Sequence, residues 1–223
     1  MSISTKNITS AKAGVPKTLQ PGNVVAKIIN ISLEEFTILK GAYNVVLNLE
    51  GTDMGADFEG FFINKDQPNL GRHKGQVGRV KAGEYAFADG TTKSGIIVKR
   101  DDEILKFINN ICKELGLTWL DDADGKYDTI ETLVKAFGNE KPYKDMFLNF
   151  CLGGKEYQNK EGYTNFDLFL PKYAKGRVAF EKLDKPGSKI MEFTEADHIR
   201  KAKVKDVVSF GDASTTTSSD FEL

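Results

Sequence analysis

DDEILKFINNICKELG, Asp101 to Gly116, decides how the rest of the chain is read. Ile104, Leu105, Ile108, Ile111, Cys112 and Leu115 recur at helical spacing, so one face of a helix is apolar. Asp101 is placed to cap its start, acids in the first turn suit the helix dipole, and Gly116 falls where a C-cap glycine belongs. The segments on either side read as strands. A mostly β chain with helices inserted near its middle is a restricted set of folds.

Upstream, NVVAKIINI (Asn23–Ile31) and YNVVLNL (Tyr43–Leu49) are β-branched and alternating, and DFEGFFIN (Asp57–Asn64) predicts a third strand. DQPNLGRHKGQVGRVK (Asp66–Lys81), with three glycines and closely spaced bases, predicts a long exposed loop. Glu84–Ala88 and Ser94–Lys99 predict a hairpin about an Asp89-Gly90 turn. Downstream, a second helix is expected over Tyr127–Phe137 with Gly138 as its stop, after an acidic turn at Asp121–Gly125. Asp145–Cys151 and Gly162–Leu170 predict further strands around a polar turn, Gly153–Glu161. Lys172–Lys185 then reads as basic loop, strand and turn.

About seven short strands with a helix or two inserted suit a small barrel or an α+β arrangement. The OB-fold, a five-stranded Greek-key barrel, often carries a helix between its third and fourth strands. The expected organisation is a flexible arm over 1–20, an OB-like domain over 21–206 with a helical insertion at 101–138, and a disordered tail over 207–223.

Charge is segregated although the total is −1. From Gly71 to Arg100 there are seven bases and two acids, and from Lys172 to Lys205 ten bases and five acids. Val207–Leu223 holds three acids and no base, so the remainder carries 31 − 29 = +2. The chain lacks a signal-like or membrane-spanning apolar run, which suggests a cytoplasmic protein.

Motifs for chemistry are missing. GRHKGQVGR and GTTKSG lack Walker spacing, and neither G-x-G-x-x-G nor G-x-S-x-G occurs. Two histidines, His73 and His198, and two distant cysteines, Cys112 and Cys151, make no zinc pattern. The cysteines lie in apolar contexts and read as buried thiols. His73 reads as a polar loop residue. DDADGK lacks the later glutamate of a calcium loop. The expectation is a protein without catalytic residues, metal or cofactor.

Bases interleaved with aromatic rings point to single-stranded nucleic acid instead. Cations track phosphates and release counterions, and rings stack on bases at ~1–3 kcal/mol each. Phe61 and Phe62 lead into Arg72, Lys74, Arg79 and Lys81, followed by Tyr85, Lys99 and Arg100. Tyr163 and Phe169 lead into Lys172, Tyr173, Lys175 and Arg177, and Tyr43 stands at the head of a strand. These sixteen residues are the candidate strand-binding set. Phe58, Phe150, Phe166 and Phe180 read as core.

The chain ends Asp220-Phe221-Glu222-Leu223, acids around an apolar tip, which could compete for a basic groove or enter a partner's pocket. In this layout the chain resembles the single-stranded DNA-binding proteins of bacteria and their phages. LQPGNVVAKI (Leu19–Ile28) and EGYTNFDLFLPK (Glu161–Lys172) are similar in style to phage-encoded versions. The tail departs from the bacterial pattern of several aspartates, a proline and a final phenylalanine. The resemblance implies coating of single-stranded DNA, without strong sequence preference, during phage replication or recombination in the host cytoplasm. Replication or recombination proteins would be partners of the tail, and self-association is left open. A phage structural, assembly or adaptor protein and an RNA-binding protein are the alternatives.

Overall fold

A computed structural model describes residues 18–52, 73, 75–172, 176–183 and 185–201. The expected third strand (57–64), Phe61, Phe62, Arg72, Lys74, Tyr173, Lys175 and both terminal segments, including Asp220–Leu223, lie outside the described residues.

The elements follow in chain order as β1 (Gly22–Glu35), β2 (Tyr43–Gly51), β3 (Val77–Lys81), β4 (Gly90–Thr91), β5 (Ile97–Val98), α1 (Arg100–Leu115), α2 (Trp119–Ala123), α3 (Ile130–Glu140), β6 (Phe147–Gln158), β7 (Thr164–Phe169), β8 (Phe180–Lys182), α4 (Glu195–His198) and β9 (Ile199–Arg200). Five of them close a mixed barrel in the order β1-β2-β3-β7-β6 and back to β1. All contacts in the ring are antiparallel except β3 with β7, which run parallel through Val80–Leu168 and Lys81–Phe169. This architecture is compatible with the OB-like barrel expected.

β1 makes closure work because it serves two neighbours. Gly22–Lys27 pairs with β6, and Ala26–Glu35 pairs with β2, with the register shifting between Ile28 and Asn30. An extra residue bends and twists a strand at such a point, as barrel closure requires. Alternation then sends Val24, Ala26, Ile28, Ile31, Val45, Leu47, Leu49, Val80, Leu152 and Leu168 into the core.

The helices come between the third and fourth barrel strands and cover one side of the barrel. Ile104, Ile108, Ile111 and Cys112 of α1 and Val134 and Phe137 of α3 join the same core. α1 begins one residue earlier than expected. Asp101 does not cap it; Asp89 Oδ1 accepts from the Arg100 N–H at 2.8 Å across eleven residues. That use of Asp89 removes it from the expected turn. The two-stranded ribbon is β4 with β5, and its turn is Thr92–Gly95. Gly116 does end α1 in the left-handed region at φ 68°.

α3 is shifted from the expected helix. Thr129 caps it, accepting from Thr132 N–H at 3.2 Å while the Thr132 hydroxyl accepts from Thr129 N–H at 3.3 Å. Gly138 is not its stop but an interior contact. A Cβ there would meet the Ile31 carbonyl oxygen at 2.3 Å, so the absent side chain lets helix and strand touch.

Two more expectations are corrected on strands. Val77–Lys81 is β3 rather than loop, because its alternation survives the glycine-rich lead-in. β6 runs on to Gln158, so the turn before β7 is only Asn159–Tyr163.

β8, α4 and β9 add to β6 beyond its two partners in the ring. β8 pairs antiparallel and β9 parallel with it. Cys151 is buried there with Ile190 and Met191. Glu181, fully buried, accepts from Ser188 Oγ–H and from Lys189 N–H at 2.9 Å, which satisfies its carboxylate without a cation.

Candidate nucleic-acid interface

Strand register decides which side chains share the barrel's outer surface. Opposite the core-facing residues of β2 stand Asn44, Val46, Asn48 and Glu50, and Val46, Asn48 and Glu50 pair with Lys81, Arg79 and Val77 of β3. On the hairpin of β6 and β7, Lys155 pairs with Asp167 and Tyr157 with Asn165. Tyr163 has the parity of Asn165, so Tyr157 and Tyr163 share the outer face at the hairpin's tip. Tyr157 is 44% and Tyr163 67% exposed.

The tip is built to hold Tyr163 in place. Asn159 Oδ1 accepts from the N–H groups of Glu161 at 3.0 Å and Tyr163 at 2.8 Å. The Asn159 N–H donates to the Tyr163 carbonyl at 2.9 Å, and Gly162 takes φ 84° to close the turn. These bonds fix the backbone from which the exposed Tyr163 ring projects.

β3 runs from this tip toward the other end of the barrel, presenting Val77, Arg79 and Lys81 outward. At that other end stand Tyr85, 70% exposed, and the exposed Ile38, Leu39 and Lys40 of the turn between β1 and β2. Lys99 is also exposed there, at the start of α1. Exposed aromatic or apolar side chains thus stand near both ends of β3, with its outward Val77, Arg79 and Lys81 between them; Val46 and Phe169, the neighbours of Lys81, are buried.

The remaining expected residues have other employment. Tyr43 is half-buried against the core, with the Arg100 guanidinium 4.7 Å from its ring centroid. Burial, chiefly, and nearby Glu131 raise its hydroxyl above the ordinary range. Arg100 is saturated, donating from Nε to Asp101 at 2.6 Å and from an Nη to the Gly41 carbonyl at 2.8 Å, with Glu131 at 3.5 Å. Phe169 is 3% exposed, which corrects its reading as an exposed ring. It lies over Gly153, where a Cβ would stand 2.7 Å from the ring, and Arg200 sits 5.8 Å from its centroid. Glu84 receives Arg200 through both oxygens, at 3.0 and 3.2 Å, and so ties this lid to the segment after β3.

Arg79 is exposed but ion-paired with Glu34 of β1. The pair crosses β2 at the level of Val46. Lys81, Lys99, Lys155, Lys172 and Arg177 have no acidic partner among the described residues. His73 lies in the connection before β3, as expected of a loop residue, but it is buried, with its Nδ1 3.1 Å from Gln76 Oε1. Lys155 and Tyr157 were missed in the sequence because Gly153–Glu161 read as turn; the alternation of Lys155 and Tyr157 was the signal.

Burial pushes the Cys112 thiol up to about 11 and that of Cys151 up to about 12, so neither is a ready nucleophile. Among the described residues, no group of three or more His, Cys, Asp or Glu could hold a metal ion. Nor is any described helix long and apolar enough to cross a membrane. No family model, no curated protein and no solved structure matches the chain.

Proposed function

We propose that this chain binds single-stranded DNA, with little sequence preference, along the outer face that runs from Tyr163 across β3 to Tyr85. The observation that carries the reading is the pair of exposed rings, Tyr157 and Tyr163, sharing a face with Lys155, which stands opposite Asp167 but forms no ion pair among the described residues. Single strands offer what duplexes hide, free base faces for such rings, while their phosphates take the lysines. The closed barrel, its parallel β3–β7 contact and the helices after its third strand support the finer reading as an OB-fold, whose second and third strands and flanking turns hold oligonucleotides. Under this reading the chain coats and protects single strands in phage replication or recombination, and the acidic end Asp220–Leu223 meets partners.

The test is fluorescence anisotropy of a labelled ~30-nucleotide single strand, long enough for at least one OB-type site, against matched duplex and RNA over a salt series. Single-strand DNA binding should be tightest and fall with salt, each phosphate contact contributing a slope of about −0.7. Lys155→Ala should lower that slope by roughly this amount. Equal affinity for RNA would move the reading to RNA. No binding at low salt would end it in favour of a structural or adaptor protein.

A further inference from the structure

The helical side carries a second recess, separate from the barrel face. α1, α2 and the start of α3 leave an open cleft of about 510 Å³. Its floor is apolar, Leu105, Leu120 and Leu133 with Tyr127, and Asp102 and Asp124 stand on its rim. Leu105 is 41% exposed, a costly position for a leucine that no described residue covers. Asp124 has no cation partner among the described residues, and Asp102 has only the field of Lys106, which is itself tied to Glu103 at 2.7 Å.

The cleft sits in the acidic part of the molecule. Residues 101–140 hold ten acids and four bases, a net 4 − 10 = −6, so the rest of the chain carries +5. Two terminal segments lie outside the described residues, and their charges differ in sign. Residues 202–223 hold four acids and two bases, and the cleft would repel them. Residues 1–17, MSISTKNITSAKAGVPK, hold Lys6, Lys12 and Lys17 and no acid, with Ile3, Ile8 and Val15 among them. From Thr18, the first described residue, Ile8 is ten residues back, a reach of up to roughly 35 Å, about twice the radius of gyration of roughly 17 Å for a chain of this length.

We propose that residues 1–17 dock in this cleft, with Ile8 on the leucine floor and Lys6 and Lys12 toward Asp102 and Asp124. The apolar side chain covers exposed leucine surface, and the flanking lysines add positive charge opposite the two rim aspartates. The cleft that receives the segment belongs either to its own chain or to a neighbour's, which the experiment distinguishes.

A photo-cross-linker in the full chain tests this: Ile8→p-benzoylphenylalanine, irradiation, then mapping of adducts by mass spectrometry. Adducts should fall on the segments carrying Leu105, Leu120 and Leu133. Mixing isotopically heavy and light chains assigns them to one chain or two. Full-length Asp102→Lys with Asp124→Lys should cut the adduct yield at least ~10-fold while the melting point falls by only a few degrees, since both sites are exposed and the loss of a first-turn acid costs about 1 kcal/mol. Adducts confined to the barrel, the absence of adducts, or a yield indifferent to the charge reversal would overturn the proposal. Trp119, the only tryptophan, stacks on Tyr127 at 6.0 Å, so its emission offers a second readout. Emission that shifts between low and high salt in the wild type but not in the charge-reversed chain is expected, and identical behaviour of the two would count against docking.

Discussion

The helical layer and the outer barrel face use aromatic residues in opposite ways. In the helical layer each ring is committed. Trp119 stacks on Tyr127 and meets Phe137 edge-on at 4.8 Å, and Phe137 packs on Tyr143 at 5.1 Å. Two polar edges are committed as well, since Trp119 Nε1–H and the Tyr127 hydroxyl both donate to Glu140, at 2.6 and 3.2 Å, while the Tyr143 hydroxyl is simply buried. On the barrel face Tyr85, Tyr157 and Tyr163 make no ring contact or side-chain hydrogen bond among the described residues. The first set contributes to stability; the second leaves its faces to a ligand.

The sharpest test of that contrast is a pair of truncations. Phe137→Ala removes a fully buried ring and should cost ~3–5 kcal/mol, read as a lower denaturant midpoint at unchanged slope. Tyr163→Ala should leave stability within about ±0.5 kcal/mol and weaken single-strand binding by ~1–3 kcal/mol. If Tyr163→Ala lowers stability as Phe137→Ala does, or leaves strand affinity untouched, the two regions are not divided in this way.

A smaller effect separates the regions by pH. Burial pushes the Tyr143 hydroxyl up to about 12. A folded pKa above the unfolded value of about 10 favours the native state while the group is protonated. Its contribution is therefore complete below pH ~10 and lost as pH rises through about 12. Cys112 and Cys151 act in the same direction from a lower starting point, because thiols ordinarily ionise near 9. Denaturant midpoints should fall as pH rises from about 9, and Tyr143→Phe should flatten the limb above pH 10. An alkaline limb as steep in Tyr143→Phe as in the wild type would count against it, and Tyr163→Phe is the control on the open face.

Much of the barrel and the first helix could be read from periodicity alone. β1, β2 and α1 announce themselves because their burial alternates at 2 or 3.6 residues, and Gly116 marks a real stop. What stayed hidden depends on contacts distant in sequence. Gly138 looks like a helix end until Ile31 is beside it. Asp89 looks like a turn residue until Arg100 N–H claims it. Phe169 looks like an exposed ring because its parity faces outward, and only the return of β9 over Gly153 buries it. At the site, Tyr85 and Tyr163 were legible as half-polar rings in polar surroundings. Tyr157 was hidden because two glycines and a lysine disguised a continuing strand as a turn. Tyr43 and Arg100 were found as separate candidates, and nothing local reveals that they pack on each other.

The smallest expected effect concerns the ion pair that crosses the open face. Arg79 and Glu34 are both about half exposed, so their pairing contributes ~0–1 kcal/mol to stability. Its consequence for binding is larger than its consequence for folding, since an arginine held by a carboxylate is partly withheld from phosphate. Glu34→Gln removes the competitor and one negative charge from the face. Strand affinity should therefore rise a few-fold at low salt and converge with the wild type as salt screens the face, with the denaturant midpoint unchanged. Arg79→Ala should move affinity the other way. Should Glu34→Gln leave affinity unaltered at every salt concentration while Tyr163→Ala weakens it, the strand would be following the β6–β7 tip without crossing β2 and β3. That result would confine the contact to the neighbourhood of Tyr157, Tyr163 and Lys155.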